Sequence, residues 1–320
     1  MTSEQTSRRN LLKGAGLAGV ACLLPGISFA DGRKGKASRK RVLRFAHFTD
    51  SHVNQHGADA KWLAKALEHA NGLDDAPSMI MFGGDMIFEG SKVDATQMRN
   101  QWSQFHGVMR NSNNLPVQYC LGNHDIWGWN SRTVNPNEPL YGKRWALDTL
   151  QMDHAYYSFD KAGWHFVVLD SVAKCPSGYV GRLGTDQVEW LARDLAAHAD
   201  KPTLVMSHIP LLSASSAFFG NSEYNGNWHI PGSLMHIDAR HVKDIFHQHG
   251  SVKVAISGHL HLVDRVDYNS VSYLCNGSIC GNWWKGPFQE TPPGYTVMDL
   301  YDDGTWHREY MKYGWQPAAV

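Results

Sequence analysis

Apolar residues recur along this chain in two rhythms, and the switches between them lay out its elements. Val42–Phe48 and the unbroken run Met79-Ile80-Met81-Phe82 read as strands, the second covered on both faces because no polar position interrupts it. Between them, residues 59–70 carry Trp62, Leu63, Ala66, Leu67 and Ala70 on one helical face. A second helix follows, with Met98, Trp102, Phe105 and Met109 at steps of four and three, and Val117–Leu121 is the next strand. Residues 126–150, rich in Trp, Asn and Pro, lose the period and read as a long surface excursion. Strands are predicted near 155–159 and 164–170, then a helix capped by Thr185 in which Val188, Leu191 and Leu195 repeat. A strand over Thr203–Met206 precedes an irregular stretch, 212–236. A helix through Val242, Ile245 and Phe246 is closed by Gly250 and leads to a strand over Val252–Ile256. The remainder reads as antiparallel strands ending near Met311. With no internal repeat and no linker, this alternation predicts one α/β domain over residues 42–320.

The first thirty residues stand apart. Arg8-Arg9-Asn10-Leu11-Leu12-Lys13 precedes an apolar run from Gly14 to Leu24 that is short for a bilayer span, and Ser28-Phe29-Ala30 suits cleavage after Ala30. The paired arginines look like a twin-arginine export signal, which predicts a periplasmic or otherwise exported protein without a stable membrane anchor once the signal is removed. A basic lead-in, residues 31–41, would then form the new terminus.

Composition is that of an ordinary globular chain, 42% hydrophobic and 19% charged. Removing residues 1–30 leaves charge near balance, so there is no global pull toward nucleic acid and none is expected as a partner. Four cysteines remain, Cys120, Cys175, Cys275 and Cys280, without C-x-x-C spacing. Cys275 and Cys280 are near enough for a disulfide in an oxidising compartment; buried free thiols are the other reading.

Candidate chemistry gathers where the predicted strands end. Asp50-Ser51-His52, Gly83-Gly84-Asp85, Gly122-Asn123-His124-Asp125, His208 and Gly258-His259-Leu260-His261 each follow an apolar run. In open sheets flanked by helices, that edge is where loops converge on ligands. Two carboxylates, four imidazoles and an amide can hold a pair of divalent cations, bind phosphate and make hydroxide available at neutral pH. Two such cations leave this set net positive, a receptor for a phosphate ester anion.

The order of these residues resembles the calcineurin-like metallophosphoesterase superfamily, over the span from Asp50 to His261. The resemblance implies a four-layer sandwich of two packed mixed β-sheets flanked by helices, with a dimetal site at one edge. It implies one metal held by Asp50, His52, Asp85 and His261, and another by Asp85, Asn123, His208 and His259, with Asp85 bridging. His124 would stabilise or protonate the departing oxygen, and Asp125 would orient it. The cofactors so implied are two divalent transition-metal ions, Mn, Fe or Zn. Purple acid phosphatases place a metal-bound tyrosine three residues after the bridging aspartate; here that position is Phe88, so a tyrosinate–iron colour is not expected.

The function so implied is hydrolysis of a small-molecule phosphate ester by a metal-bridging hydroxide, leaning toward organic phosphodiesters such as cyclic nucleotides or glycerophosphodiesters. A phosphomonoesterase is the alternative, and a non-catalytic binding module a more distant one. Trp127, Trp129, Trp228, Trp283, Trp284 and Lys285 crowd the loops expected around the metals. They read either as loop anchors or as a wall for an apolar or planar leaving group. His229 could reach the site from its loop or lie at the surface.

Overall fold

The structure, a computed structural model, describes residues 39–316 apart from Ala58 and Asn221. The export signal read in residues 1–30 and most of the basic lead-in lie outside the described residues. The first half of the chain alternates as its periods predict: β1 (Arg41–Phe48), α1 (Ala60–Asn71), β2 (Ile80–Phe82), α2 (Ala95–Ser112) and β3 (Val117–Tyr119). After α3 (Arg144–Leu150) come β4 (Tyr157–Lys161), β5 (Trp164–Val168), a hairpin of β6 (Val172–Cys175) and β7 (Gly178–Gly181), α4 (Thr185–Ala197) and β8 (Thr203–Met206). A two-residue pair, β9 (Glu223–Tyr224) and β10 (Asn227–Trp228), precedes α5 (Ala239–His249) and β11 (Val252–Ser257). The chain closes with β12 (Val263–Tyr268), β13 (Val271–Asn276), β14 (Tyr295–Tyr301) and β15 (Trp306–Met311).

Two mixed sheets result. One runs β15-β14-β1-β2-β3, with β1, β2 and β3 parallel; the other runs β12-β13-β11-β8-β5-β4, with its four inner strands parallel. Side-chain alternation sorts them into layers. In β2, Met81 faces the second sheet, while Ile80 and Phe82 face α1 and α2; in β8, Leu204 and Met206 face the first sheet and Val205 the helices α4 and α5. The middle layer holds Phe45 against Phe166, ring centroids 6.2 Å apart. The architecture is therefore the expected four-layer sandwich, and burial on both faces explains why its parallel strands carry continuous apolar runs. Among the described residues, no helix is long and apolar enough to cross a membrane.

Local chemistry sets the helix boundaries. Asp94 starts α2 with a reciprocal cap, accepting from Thr96 N and Gln97 N at 2.8 Å while the Gln97 side chain accepts from Asp94 N. Gly250 ends α5 in the left-handed conformation (φ +65°). Thr185 does not cap α4: Gly184 takes that position and no side chain caps it. The expected surface excursion over 126–150 is only partly one: residues 130–140 run irregular and mostly exposed, but both ends of the segment turn inward. Ile126, Trp127, Trp145, Ala146 and Leu150 are buried, and α3 forms within the segment. Trp127 packs on Trp145 and donates its Nε1–H to Val93 O at 3.0 Å, so irregular chain becomes core by aromatic anchoring rather than by period. Cys120, Cys175, Cys275 and Cys280 are unpaired, with the Cys275 thiol donating to Gly258 O at 3.1 Å.

Candidate metal centre

Five parallel strands, three from one sheet and two from the other, end at one edge and deliver the candidate ligands. Asp50 and His52 follow β1, Asp85 follows β2, Asn123 and His124 follow β3, His208 follows β8, and His259 and His261 follow β11. Asp50, His52, Asp85, His259 and His261 all have φ between +41° and +69°. With Trp283 and Trp284 they make up seven of the thirteen described non-glycine residues at positive φ, so backbone strain is concentrated here. Each such residue costs about 1–2 kcal/mol, which the surrounding hydrogen bonds offset. Asp50 N donates to Gly84 O, His52 N to Asp85 O and Ile279 N to Thr49 O, each at 3.0 Å. Gly122 and Gly258 leave no room for a side chain. A Cβ on Gly122 would collide with Asp85, and one on Gly258 with Thr49 and Asp50.

The side chains converge in two overlapping groups. Asp50 Oδ1 lies 3.4 Å from His261 Nε2 and 3.8 Å from His52 Nε2, and these two nitrogens are 3.2 Å apart. His208 Nε2 lies 3.2 Å from Asp85 Oδ2, 3.1 Å from Asn123 Oδ1 and 3.2 Å from His259 Nδ1. Asp85 Oδ2 is also 3.7 Å from His52 Nε2, which makes it the atom shared by both groups. All seven of these residues are buried.

Main-chain carbonyls fix which imidazole nitrogen faces inward. His208 Nδ1 sits 2.8 Å from Gly83 O, His259 Nε2 2.7 Å from Ser233 O, and His261 Nδ1 2.5 Å from Gly281 O. Each ring donates an N–H to its carbonyl, so the opposite nitrogen presents a lone pair to the centre. Asp50 Oδ2 accepts from Thr49 Oγ1 at 2.5 Å and from His259 N at 2.9 Å, whereas its buried Oδ1 has no hydrogen-bond partner. Converging lone pairs and an unpartnered carboxylate oxygen fit cations. Asp50, His52 and His261 thus gather on one side and Asn123, His208 and His259 on the other, with Asp85 between them.

The electrostatics agree. Burial pushes the Asp50 and Asp85 carboxyls up, but His261 beside one and His208 beside the other outweigh it and hold both below the usual carboxylate range. Burial alone would lower His208, yet Asp85 raises it to about 9, so its Nε2 holds a proton that a bound cation would displace; burial and then His208 push His259 down to about 3. Positive charge is thus demanded between these carboxylates.

His124 stands at the rim, partly exposed. Its ring Nδ1 lies 2.6 Å from Phe88 O, and its main-chain N donates to Asp85 Oδ1 at 2.8 Å. Asp125 does not reach that ring. Its buried carboxylate accepts from the N–H groups of Gly122 (2.8 Å), Asp85 (2.9 Å), Met86 (2.9 Å) and Ile87 (3.4 Å), tying the β2 and β3 loops together. Any orienting effect on His124 is exerted through the main chain. Of the aromatic residues weighed as a wall, Trp127 is core, Trp129 packs near Lys143 and Lys174, and Trp228 is exposed on its two-residue strand. Trp284 is half-buried and donates its Nε1–H to His52 O at 3.3 Å. Trp283 alone lies on the imidazoles, its ring centroid 4.0 Å from His52 and 5.0 Å from His124. Lys285 and His229 are exposed. Sequence reasoning missed Thr49 and the carbonyl acceptors, because main-chain atoms carry no residue signature. It also missed Tyr179, whose ring is 6.1 Å from that of His259.

Comparison with known proteins gives a consistent picture. The family model described as calcineurin-like phosphoesterase matches residues 43–263, more than half of the chain. A 3',5'-cyclic-nucleotide phosphodiesterase of Nostoc sp. is 28% identical over 154 residues, 47% of this chain and 52% of that protein. Purple acid phosphatase 22 of Arabidopsis thaliana is 26% identical over 226 residues, 67% of this chain and 45% of that protein. The chain therefore spans about half the length of these two curated relatives. Among solved structures, a dimetal phosphatase of Danio rerio is similar in fold, with a TM-score of 0.60 and 14% identity, covering 85% of this chain and 96% of that one.

Proposed function

Since the chain belongs to the calcineurin-like phosphoesterase family, we propose that it hydrolyses phosphate esters of small organic molecules, with phosphodiesters preferred to monoesters, in an exported compartment. The observation that carries this reading is the set of three imidazoles, His208, His259 and His261, turned inward by main-chain carbonyls, together with the unpartnered buried Asp50 Oδ1. Two bound divalent cations would supply the positive charge that receives phosphate and lower the pKa of water to make a nucleophile at neutral pH.

The chain's own groups do the rest. Carbonyls of Gly83, Ser233 and Gly281 hold the imidazoles in one tautomer, so little reorganisation is needed during the reaction. His124, with Nδ1–H held by Phe88 O, keeps its Nε2 for the oxygen that leaves; in its imidazolium form it gives that oxygen the Nε2 proton and is left as the neutral Nδ1–H ring. A groove of about 260 Å³ beside His259, lined by Tyr179, Asn130, Pro231 and Ser233, suits a small organic substituent. Among the described residues, no lysine or arginine makes a hydrogen bond or ion pair with the seven donors. The diester preference is supported by the similarity to a 3',5'-cyclic-nucleotide phosphodiesterase of Nostoc sp..

Purified protein loaded in turn with Mn, Zn, Fe and Co should hydrolyse bis-para-nitrophenyl phosphate faster than para-nitrophenyl phosphate with at least one metal. The reverse order would move the assignment to a monoesterase. Inertness toward both esters with every metal would reject hydrolysis altogether.

A further inference from the structure

Trp283 is placed by a costly local geometry. It and Trp284 are consecutive bulky residues at φ +52° and +65°, a conformation that side chains of this size adopt only when their surroundings impose it. The turn is closed by Asn282 N to Gly286 O (2.8 Å), Trp284 N to Cys280 O (2.9 Å) and Lys285 N to Asn282 O (2.8 Å). Two features fix it to the site. Trp284 packs against the core and donates to His52 O, and Gly281 O accepts the Nδ1–H of His261. The loop that selects the His261 tautomer therefore also decides where the Trp283 ring lies.

That ring spans the rim. Its centroid is 4.0 Å from His52, 5.0 Å from His124, 5.4 Å from His261 and 5.6 Å from Phe88, which is 40% exposed. Trp283 is itself partly exposed, and its indole nitrogen makes no hydrogen bond within the described residues. An indole held in a strained turn, on the His124 side of the centre and without a buried polar task, has its flat face as its asset.

Resting on the phosphoesterase reading, we infer that Trp283, backed by Phe88, is a specificity-determining residue that stacks on a flat-ringed substituent of the phosphate ester on the His124 side. The substrate class is thereby narrowed to esters carrying an aryl or heterocyclic group there, as against short aliphatic ones.

Isothermal titration of the metal-loaded protein with phenylphosphonate, methylphosphonate and inorganic phosphate tests this without turnover. Wild type should bind phenylphosphonate about tenfold more tightly than methylphosphonate, the scale of one stacked ring. Trp283→Ala should bring that ratio to about one while leaving metal content and inorganic phosphate affinity unchanged, and Trp283→Phe should restore most of it. A ratio near one in wild type, or a ratio preserved in Trp283→Ala, would overturn the stacking role. So would equal loss of affinity for all three ligands, which would mark a merely structural residue. Failure of metal-loaded wild type to bind any of the three would overturn the phosphoesterase reading beneath it.

Discussion

Asp125 accepts four main-chain N–H groups from the loops that carry Asp85 and Asn123, while His124 beside it faces the rim. Neighbours in sequence, the two residues should fail differently. Asp125→Ala strands buried donors at about 1–3 kcal/mol each, so the urea midpoint should fall sharply and metal should be lost with it. His124→Ala should keep both metals, stay close to wild-type stability, and lose about 10²–10⁴-fold in turnover. Metal analysis and denaturation curves of the two variants check this; matching curves would refute the division of roles. That these seven side chains would converge was legible because metal chemistry restricts which residues can serve as ligands. The work of Asp125 was not, since its partners are amide groups that every residue possesses. The strained backbone at five of the donors was equally hidden: a sequence shows an Asp or a His, not its φ.

At the scale of elements, legibility followed length and period. Helices α1 and α2 and strands β1 and β2 stood out because their repeats run long enough to count. The seven-residue α3 did not, and β6 and β7, four residues each, are too short to show a period. One junction invisible in sequence joins β4, β5 and α4. His165 of β5 sits 2.8 Å from Asp160 through Nδ1 and 2.8 Å from Asp194 through Nε2, is 1% exposed, and stacks on His198 at 3.9 Å. Both ring nitrogens must donate, so the ring is held as an imidazolium. Burial opposes that charge, but Asp194 and Asp160 outweigh it and raise the pKa above the ordinary histidine value. A group raised on folding adds stability that is complete below the unfolded pKa of about 6.5 and fades as pH climbs through the folded one. Thermal unfolding temperatures between roughly pH 6 and pH 9 should therefore decline more steeply in wild type than in His165→Gln. Parallel slopes would remove the imidazolium from the account.

For the whole molecule, the sandwich matters because its donors come from both sheets: the centre exists only while the sheets keep their mutual register. Folding before export, the proposal attached to Arg8 and Arg9, suits such a centre, because its metals can be loaded before competing ions are met. N-terminal sequencing of protein recovered from outside the cytoplasm should begin at Asp31; a start at Met1 or Thr2 would refute cleavage after Ala30. Strand β1 bears on the same question. It enters the first sheet at Arg41 and reaches Phe48 just before the first donor, Asp50. Eight residues at about 3.3 Å each set its two ends roughly 25 Å apart. Whatever precedes Arg39 is thus joined to the pole remote from the mouth. A bead coupled at Arg39, in a chain shortened to begin there, would leave the opening free to substrate.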